Sequence, residues 1–239
     1  MFNLKKDEIH IRNCVFEEHY NNLDFFYEIL DEKEKERANR FYFKKDQDNF
    51  KISRGLLKYF ISKYTNTNYE KIIFSYNNFG KPFLENSNLK FNISHTKDIA
   101  LFAFCNDLEI GIDIEKIREV KNYKDIVKRF FSKNEIKEFF ELPENEYQTA
   151  FFTIWSRKEA FIKAVGQGLS LGLDSFDVSV LEDLPEIKNV RIDNQKKESW
   201  KMFNLAEIKD NKCSLVIEND ILSGRINSDF IFSYFDYYQ

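Results

Sequence analysis

The sequence is poor in the residues that mark disulfide-linked, zinc-binding or disordered proteins. Among 239 residues there are seven glycines, three prolines and three cysteines. The cysteines are far apart and odd in number, which argues against a disulfide framework or a zinc cluster and favours reduced thiols in a cytoplasm. Because no glycine-rich, proline-rich or low-complexity linker interrupts the chain, its parts are expected to be tightly joined.

Long apolar runs and a basic excess are also missing. No apolar stretch approaches the length that spans a membrane. The positive charges near the N-terminus are not followed by the uninterrupted apolar stretch of a secretory signal peptide. The net charge of -4 leaves no dominant basic field, which argues against general binding of nucleic acid. We therefore expect a cytoplasmic protein without a membrane or nucleic-acid partner, in which any phosphate site is local.

The residues that are present predict an α+β fold in two halves. Hydrophobic residues make up 43% and charged residues 32%, as in globular proteins. Helices are predicted within 22–64, and at 123–130, 133–142 and 146–166. Strands are predicted at 71–74, 83–84, 90–93, 99–105, 109–115, 175–180, 187–192, 201–208, 213–217 and 230–234. Because helices precede strands twice, we divide the chain into halves at 1–107 and 108–239.

Two acidic residues of the strand at 109–115 predict a metal site. Asp113 and Glu115 are two residues apart between isoleucines, so both carboxylates project from one face of the strand. Carboxylates held this close repel each other, and a hard cation such as Mg²⁺ or a raised pKa relieves the repulsion. An exposed strand face with two solvated acids is the alternative.

The helix at 146–166 supplies a second acid and a base. Glu159 and Lys163 are four residues apart and share a face, while Gly166 stands where a left-handed C-terminal cap is expected. By themselves the two side chains predict a surface ion pair. Beside a metal and a pyrophosphate, Glu159 would serve as a third ligand or a general base, and Lys163 would neutralise a departing phosphate.

Ser94 and His95 suggest a hydrolase nucleophile and its base. Adjacent residues of a strand point to opposite faces, however, so these two side chains are not placed to hydrogen-bond to each other. We therefore discount a catalytic triad.

Four sequence blocks, taken in order, resemble the Sfp-type 4'-phosphopantetheinyl transferases. The blocks are Phe91-Asn92-Ile93-Ser94-His95, Gly111-Ile112-Asp113-Ile114-Glu115, Trp155 to Lys163, and Gly166-Gln167-Gly168-Leu169. The resemblance covers about residues 33 to 179. It implies two similar α+β halves related by a pseudo-twofold axis, with coenzyme A bound at their junction.

The resemblance also implies a reaction and its residues. The reaction is the Mg²⁺-dependent transfer of 4'-phosphopantetheine from coenzyme A to a serine of an acyl or peptidyl carrier protein, with release of 3',5'-ADP. Metal ligands would be Asp113, Glu115 and Glu159, and the catalytic pair would be Glu159 and Lys163. Coenzyme A would be contacted by Arg37, Arg54, Lys81, Ser94, His95 and Lys163, with His95 at the ribose 3'-phosphate.

The segment that follows the predicted metal strand is the expected contact site of a protein partner. The segment 117–131 mixes apolar residues with five basic ones, so it is either a docking ridge for acidic carrier proteins or an amphipathic packing helix. The rival functions are a non-catalytic module that binds coenzyme A or a carrier, and a metal phosphodiesterase acting on the same linkage. We expect a monomer, and both fatty-acid and secondary-metabolite carriers stay open.

Overall fold

The computed structural model describes residues 2–5, 8–181, 183–205, 208–219 and 231–235. The α-helices are α1 (Leu23–Glu28), α2 (Glu32–Asn39), α3 (Lys44–Thr65), α4 (Tyr123–Phe130), α5 (Lys133–Glu141) and α6 (Tyr147–Val165). The strands are β1 (Glu8–Val15), β2 (Ser75–Tyr76), β3 (Pro82–Phe83), β4 (Leu89–His95), β5 (Ile99–Asn106), β6 (Ile110–Lys116), β7 (Phe176–Val178), β8 (Ile187–Val190), β9 (Trp200–Asn204), β10 (Asn211–Glu218) and β11 (Ile231–Phe235).

The N-terminal half, β1 to β5 with α1 to α3, packs helices on one face of a sheet. The sheet has the strand order β11-β1-β5-β4, in which β11 runs parallel to β1 and the other pairs are antiparallel. Alternate residues of β5 face opposite sides: Phe102 and Phe104 pack with Phe60 of α3, whereas Leu101 and Ala103 face the other way. The last described strand of the chain thus lies in the sheet of the first half.

The C-terminal half, β6 to β10 with α4 to α6, repeats this arrangement. Its main sheet is antiparallel with the order β6-β10-β9, and α6 packs on one face. The other face carries Ile110, Ile112 and Ile114 of β6, which pack against the free face of the N-terminal sheet. The molecule therefore has four layers, helices on sheet on sheet on helices, and the α+β fold in two halves is confirmed.

Side chains, not backbone pairs, bridge β4 and β6 at the seam between the halves. The Asn92 Oδ1 accepts a hydrogen bond from the Ile112 N–H at 2.9 Å, and the Ser94 Oγ accepts one from the Ile114 N–H at 3.3 Å. Both side chains are buried. Two polar residues of one strand thus satisfy backbone donors of the other half.

Each half anchors its long helix by a buried ion pair to a capping-box glutamate. In the N-terminal half, Lys58 of α3 lies 2.7 Å from Glu34, the third residue of α2, which forms a capping box with Asp31. In the C-terminal half, Lys158 of α6 lies 2.8 Å from Glu135, which has the same place in α5. This repetition supports the pseudo-twofold relation of the halves.

Helix α6 lies directly on β6 because residue 111 is glycine. An ideal Cβ at Gly111 would overlap the carbonyl oxygen of Ala160 and the backbone nitrogen of Ala164. Since Ala160 follows Glu159 and Ala164 follows Lys163, the close approach brings both predicted catalytic residues beside the strand that carries Asp113.

Differences from the predicted elements have local causes. The strand predicted at 71–74 is wrong: Tyr69–Lys71 is a 3-10 turn, and Ile72 and Phe74 are buried without strand pairing. Strand β1 was not predicted from the sequence, and it buries the polar residues Glu8, His10 and Arg12. Parts of the strands predicted at 201–208 and 230–234 lie outside the described residues.

In the part of the chain that the structure describes, no helix is long and apolar enough to cross a membrane. Cys14, Cys105 and Cys213 are buried, and each is a free thiol.

Candidate active site

The predicted site residues of β4, β6 and α6 meet at the seam. The Lys163 ammonium donates hydrogen bonds to the Asp113 Oδ1 at 2.7 Å and to the Ser94 Oγ at 2.8 Å. The Ser94 hydroxyl in turn donates to the same Asp113 oxygen at 2.9 Å. Three residues from three elements thus form one closed polar triangle.

The surface ion pair predicted between Glu159 and Lys163 is replaced by a longer-range contact. Lys163 pairs with Asp113, 50 positions away in the sequence, with side-chain exposures of 27% and 4%. An ion pair that is largely removed from water is stronger than one on an open helix face. Helix spacing alone did not reveal this partner.

Three carboxylates lie close enough to perturb one another. Burial raises the pKa of Glu115 to about 7, and the neighbouring Asp113 adds to the effect, with a smaller contribution from Glu159. Burial also raises the pKa of Glu159, and Asp113 acts in the same direction. Glu115 and Glu159 are therefore easier to protonate than an ordinary glutamate, as expected for buried acids beside a like charge.

The donor set fits a divalent cation that substrate oxygens would complete. The Asp113 Oδ2 is buried and has no hydrogen-bond partner among the described residues. Across those residues, no three His, Cys, Asp or Glu side chains are gathered closely enough to enclose a metal ion. Mg²⁺ usually binds through one or two carboxylates together with water and phosphate oxygens, so an open set of acids suits it.

His95 lies beside this cluster but points away from Ser94. Ser94 is buried and His95 is exposed, and the His95 Nδ1 lies 3.4 Å from the Thr96 carbonyl oxygen. Partial desolvation lowers the pKa of His95, and the Lys163 charge acts in the same direction. The opposite orientation of the two side chains agrees with the argument against a triad.

The predicted arginines are grouped around Phe50 of α3. The Arg37 guanidinium is 5.2 Å from the Phe50 ring centroid, and that of Arg54 is 5.9 Å from it. The Arg54 Nε lies 3.5 Å from Glu34, while its Nη1 is buried without a hydrogen-bond partner among the described residues. Arg37 is exposed at the end of α2.

Lys81 has a different environment from the other predicted cations. Its ammonium donates to the Glu109 Oε2 at 2.8 Å, to the Ala164 carbonyl at 3.1 Å and to the Ile110 carbonyl at 3.2 Å. The two carbonyls belong to the end of α6 and to the start of β6, and Glu109 directly precedes β6.

Sequence reasoning missed two asparagines and one ion pair at this site. Asn92 was identified only as part of a motif. Because successive side chains of a strand alternate, Asn92 lies on the opposite face from Phe91 and Ile93, and this is the face that β6 contacts. Asn77, which donates to the Gly166 carbonyl at 2.7 Å, opens an Asn-Asn-Phe-Gly-Lys segment with the composition of a turn. The partner of Lys158 could not be found by spacing because it lies on another helix.

Two models of one protein family match successive parts of the chain. The family model of the 4'-phosphopantetheinyl transferase superfamily matches residues 109–216, and that of the 4'-phosphopantetheinyl transferase N-terminal region matches residues 17–106. The two matches cover the two halves separately and include the seam residues.

Individual relatives extend the similarity over most of the chain. The 4'-phosphopantetheinyl transferase HetI of Nostoc sp. is 34% identical over 171 residues, which are 70% of this chain and 72% of that protein. The Bacillus subtilis enzyme Sfp is 36% identical over 66% of this chain and 70% of its own length. The Bacillus subtilis enzyme ffp is 40% identical over 63% of this chain and 66% of its own length. The chain therefore belongs to the 4'-phosphopantetheinyl transferase family and is an enzyme of the Sfp type.

Proposed function

We propose that this enzyme transfers 4'-phosphopantetheine from coenzyme A to a serine of an apo acyl or peptidyl carrier protein, in a Mg²⁺-dependent reaction that releases 3',5'-ADP. The observation that carries the proposal is the contact of Lys163 with Asp113, beside two further acids of raised pKa. Transfer of a phosphoryl group from a pyrophosphate to a serine hydroxyl is favoured by an acid cluster that binds a cation and by a fixed positive charge near the leaving group.

Asp113, Glu115 and Glu159 are the proposed ligands of the metal. The unpartnered Asp113 Oδ2 and the mutual repulsion of the acids support this assignment. When bound, Mg²⁺ supplies charge neutralisation and orientation of the pyrophosphate oxygens.

Glu159 is the proposed general base. Burial first, and then the charge of Asp113, raise the pKa of Glu159. A general base works best when its pKa lies near the working pH, because it is then ionised and still accepts a proton readily. The carrier serine loses its hydroxyl proton to Glu159, directly or through a water. The serine oxygen then forms a bond to the β-phosphorus, and the bond from that phosphorus to the oxygen bridging to the α-phosphate breaks.

Lys163 is the proposed cation for the leaving group. Its ammonium is partly exposed and already held by the Asp113 and Ser94 oxygens, so its position is set before a substrate arrives. A charge fixed in advance stabilises negative charge that develops on the departing 3',5'-ADP without costly reorganisation.

Coenzyme A is proposed to contact Ser94, His95, Arg37, Arg54, Lys81 and Lys163. His95, exposed next to the cluster, is assigned to the ribose 3'-phosphate. The unpartnered Nη1 of Arg54 supports a ligand contact at that residue. A contact of Lys81 with coenzyme A would require its ammonium to give up one of three bonds to protein oxygens.

The carrier protein is proposed to dock on the segment 117–131. In α4, Val127 is buried, while Phe130 is 40% exposed next to Lys128 and Arg129. An apolar side chain rimmed by basic groups complements an acidic helical carrier. We further propose that the enzyme is a cytoplasmic monomer, with the metal site in the half 108–239.

The experiment is mass spectrometry of an apo carrier protein incubated with the enzyme, coenzyme A and Mg²⁺. The proposal expects the mass of one 4'-phosphopantetheine group on the carrier serine, equimolar 3',5'-ADP, and no product after chelation. Release of free 4'-phosphopantetheine with an unmodified carrier would favour the metal phosphodiesterase. Binding of coenzyme A without any product would favour the non-catalytic module.

A further inference from the structure

The turn at 77–81 closes on the C-terminal end of α6. The Asn77 side-chain amide donates to the Gly166 carbonyl at 2.7 Å, and its Oδ1 accepts from the Phe79 and Lys81 N–H groups, each at 2.9 Å. Gly166 has the left-handed φ of 76°, and a Cβ there would lie 3.1 Å from Lys81 and 3.2 Å from Asn77. The turn and the helix end are therefore fitted closely to each other.

The Lys81 ammonium uses all of its donors on protein oxygens. An ammonium has three N–H donors, and the three acceptors are the Glu109 carboxylate and the carbonyls of Ile110 and Ala164. The side chain is 14% exposed. A contact with a coenzyme A phosphate would require at least one of these bonds to be given up.

Both carbonyls that Lys81 contacts belong to elements of the active site. Ala164 follows Lys163 in the last turn of α6, where carbonyls lack helical partners and the helix dipole favours a cation. Ile110 opens β6, three positions before Asp113. One ammonium thus links the helix that carries Lys163 to the strand that carries Asp113.

We infer that Lys81, oriented by Asn77, is a positioning residue that fixes α6 against β6 and thereby holds Lys163 and Glu159 in register with Asp113. The inference rests on the proposed function, because it assigns the lysine to the geometry of that site. It replaces a direct contact between Lys81 and the phosphates of coenzyme A.

The variants that test it are Lys81→Met and Asn77→Ala, with Lys90→Met as the matched control. Lys90 contacts the other oxygen of the same Glu109 carboxylate at 2.7 Å and, within the described part of the chain, forms no hydrogen bond or ion pair with α6. The readouts are kcat, the KM for coenzyme A, and hydrogen exchange of the α6 amides near Gly166. Assays are run well below the unfolding temperature of each variant.

A positioning role predicts that Lys81→Met lowers kcat by about 10- to 100-fold while the KM for coenzyme A changes less than about threefold. Asn77→Ala lowers kcat in the same direction, the double variant loses less than the product of the two effects, and exchange near Gly166 accelerates in all three. Lys90→Met keeps the wild-type values. A loss of stability alone would leave kcat of the folded enzyme unchanged.

A tenfold or larger rise in the KM for coenzyme A at unchanged kcat in Lys81→Met would overturn the inference in favour of a phosphate contact. Wild-type kcat and exchange in Asn77→Ala would overturn it as well, even if Lys81→Met did not fold. If the wild-type enzyme itself transfers nothing, the proposed function fails, whereas exchange near Gly166 still reports whether the turn holds α6.

Discussion

The two halves use one scaffold and differ in the side chains that follow its buried lysine. In the N-terminal half, Lys58 is followed by Tyr59, and the Lys63 ammonium lies 4.9 Å from the Tyr59 ring centroid. In the C-terminal half, Lys158 is followed by Glu159, and the Lys163 side chain contacts Asp113 of strand β6. The same positions of two long helices therefore carry an ordinary surface contact in one half and the candidate chemistry in the other.

The two buried ion pairs also differ in the exposure of the acid and in the charged side chains that contact them directly. Lys58 has a second acid, Asp31, at 3.6 Å, and Arg54 lies 3.5 Å from Glu34. Both lysines are 1% exposed, whereas the side chain of Glu34 is 7% exposed and that of Glu135 is 1% exposed. Burial raises the pKa of Glu135 and lowers that of Lys158, against their mutual attraction. The pair beneath the proposed active site is thus the more desolvated of the two.

The largest effect is expected at the residue after the buried lysine. Glu159→Gln should slow transfer by roughly 10²–10⁴ because it removes the proposed base. Tyr59→Phe, at the corresponding position of α3, should leave the rate unchanged. Single-turnover transfer to an apo carrier measures both. A wild-type rate in Glu159→Gln would show that Glu159 has no role in the reaction. A slow rate with much weaker coenzyme A binding would indicate that Glu159 acts mainly as a metal ligand.

Substitution of the two buried lysines should lower the unfolding free energy by different amounts. Lys158→Met leaves Glu135 buried without its cation and is expected to cost about 3–5 kcal/mol of unfolding free energy. Lys58→Met should cost less, because Arg54 remains near Glu34. Urea denaturation of the two variants measures the difference. Equal losses would show that the surrounding charges do not distinguish the pairs.

His95 tests the contribution of the N-terminal half to binding of the donor. His95→Ala should weaken coenzyme A but barely affect 3'-dephospho-coenzyme A, because the proposed partner is the 3'-phosphate. The ratio of the two affinities should change by roughly ten- to a hundredfold, as for a charge-assisted hydrogen bond of ~1.5–3 kcal/mol. Calorimetry with both ligands closes the thermodynamic cycle, and equal losses for both would assign His95 a structural role.

A smaller effect is expected in the pH dependence of the metal-free protein. The pKa of Glu115 is raised from 4.5 to about 7, so its contribution to stability is present below 4.5 and is lost as the pH rises through 7. Glu115→Gln should reduce the slope of unfolding free energy against pH by up to ~1.4 kcal/mol per pH unit, an upper limit because the side chain is partly exposed. Denaturation with and without Mg²⁺ at several pH values checks this, and an unchanged slope would contradict it.

Periodicity and capping signals in the sequence predicted most of the C-terminal half. The capping box of Ser132 and Glu135, helix α4 and the alternation of β6 are confirmed, because each depends on residues close in the chain. The pairing of Lys163 with Asp113 and the tie of Lys81 to α6 were not predictable, since they join residues 50 and 83 positions apart. Strand β1 was missed because its buried polar residues mimic an exposed segment.

The most direct test of the account compares the wild-type enzyme with Asp113→Asn in the same transfer assay, with Mg²⁺ and after chelation. Asparagine keeps an oxygen for Lys163 and Ser94 but removes the charge that faces the cation. We expect the wild-type enzyme to modify an apo carrier only in Mg²⁺, and Asp113→Asn, folded normally, to do so at a small fraction of that rate. Transfer by Asp113→Asn at the wild-type rate would contradict the assignment of the chemistry to this seam.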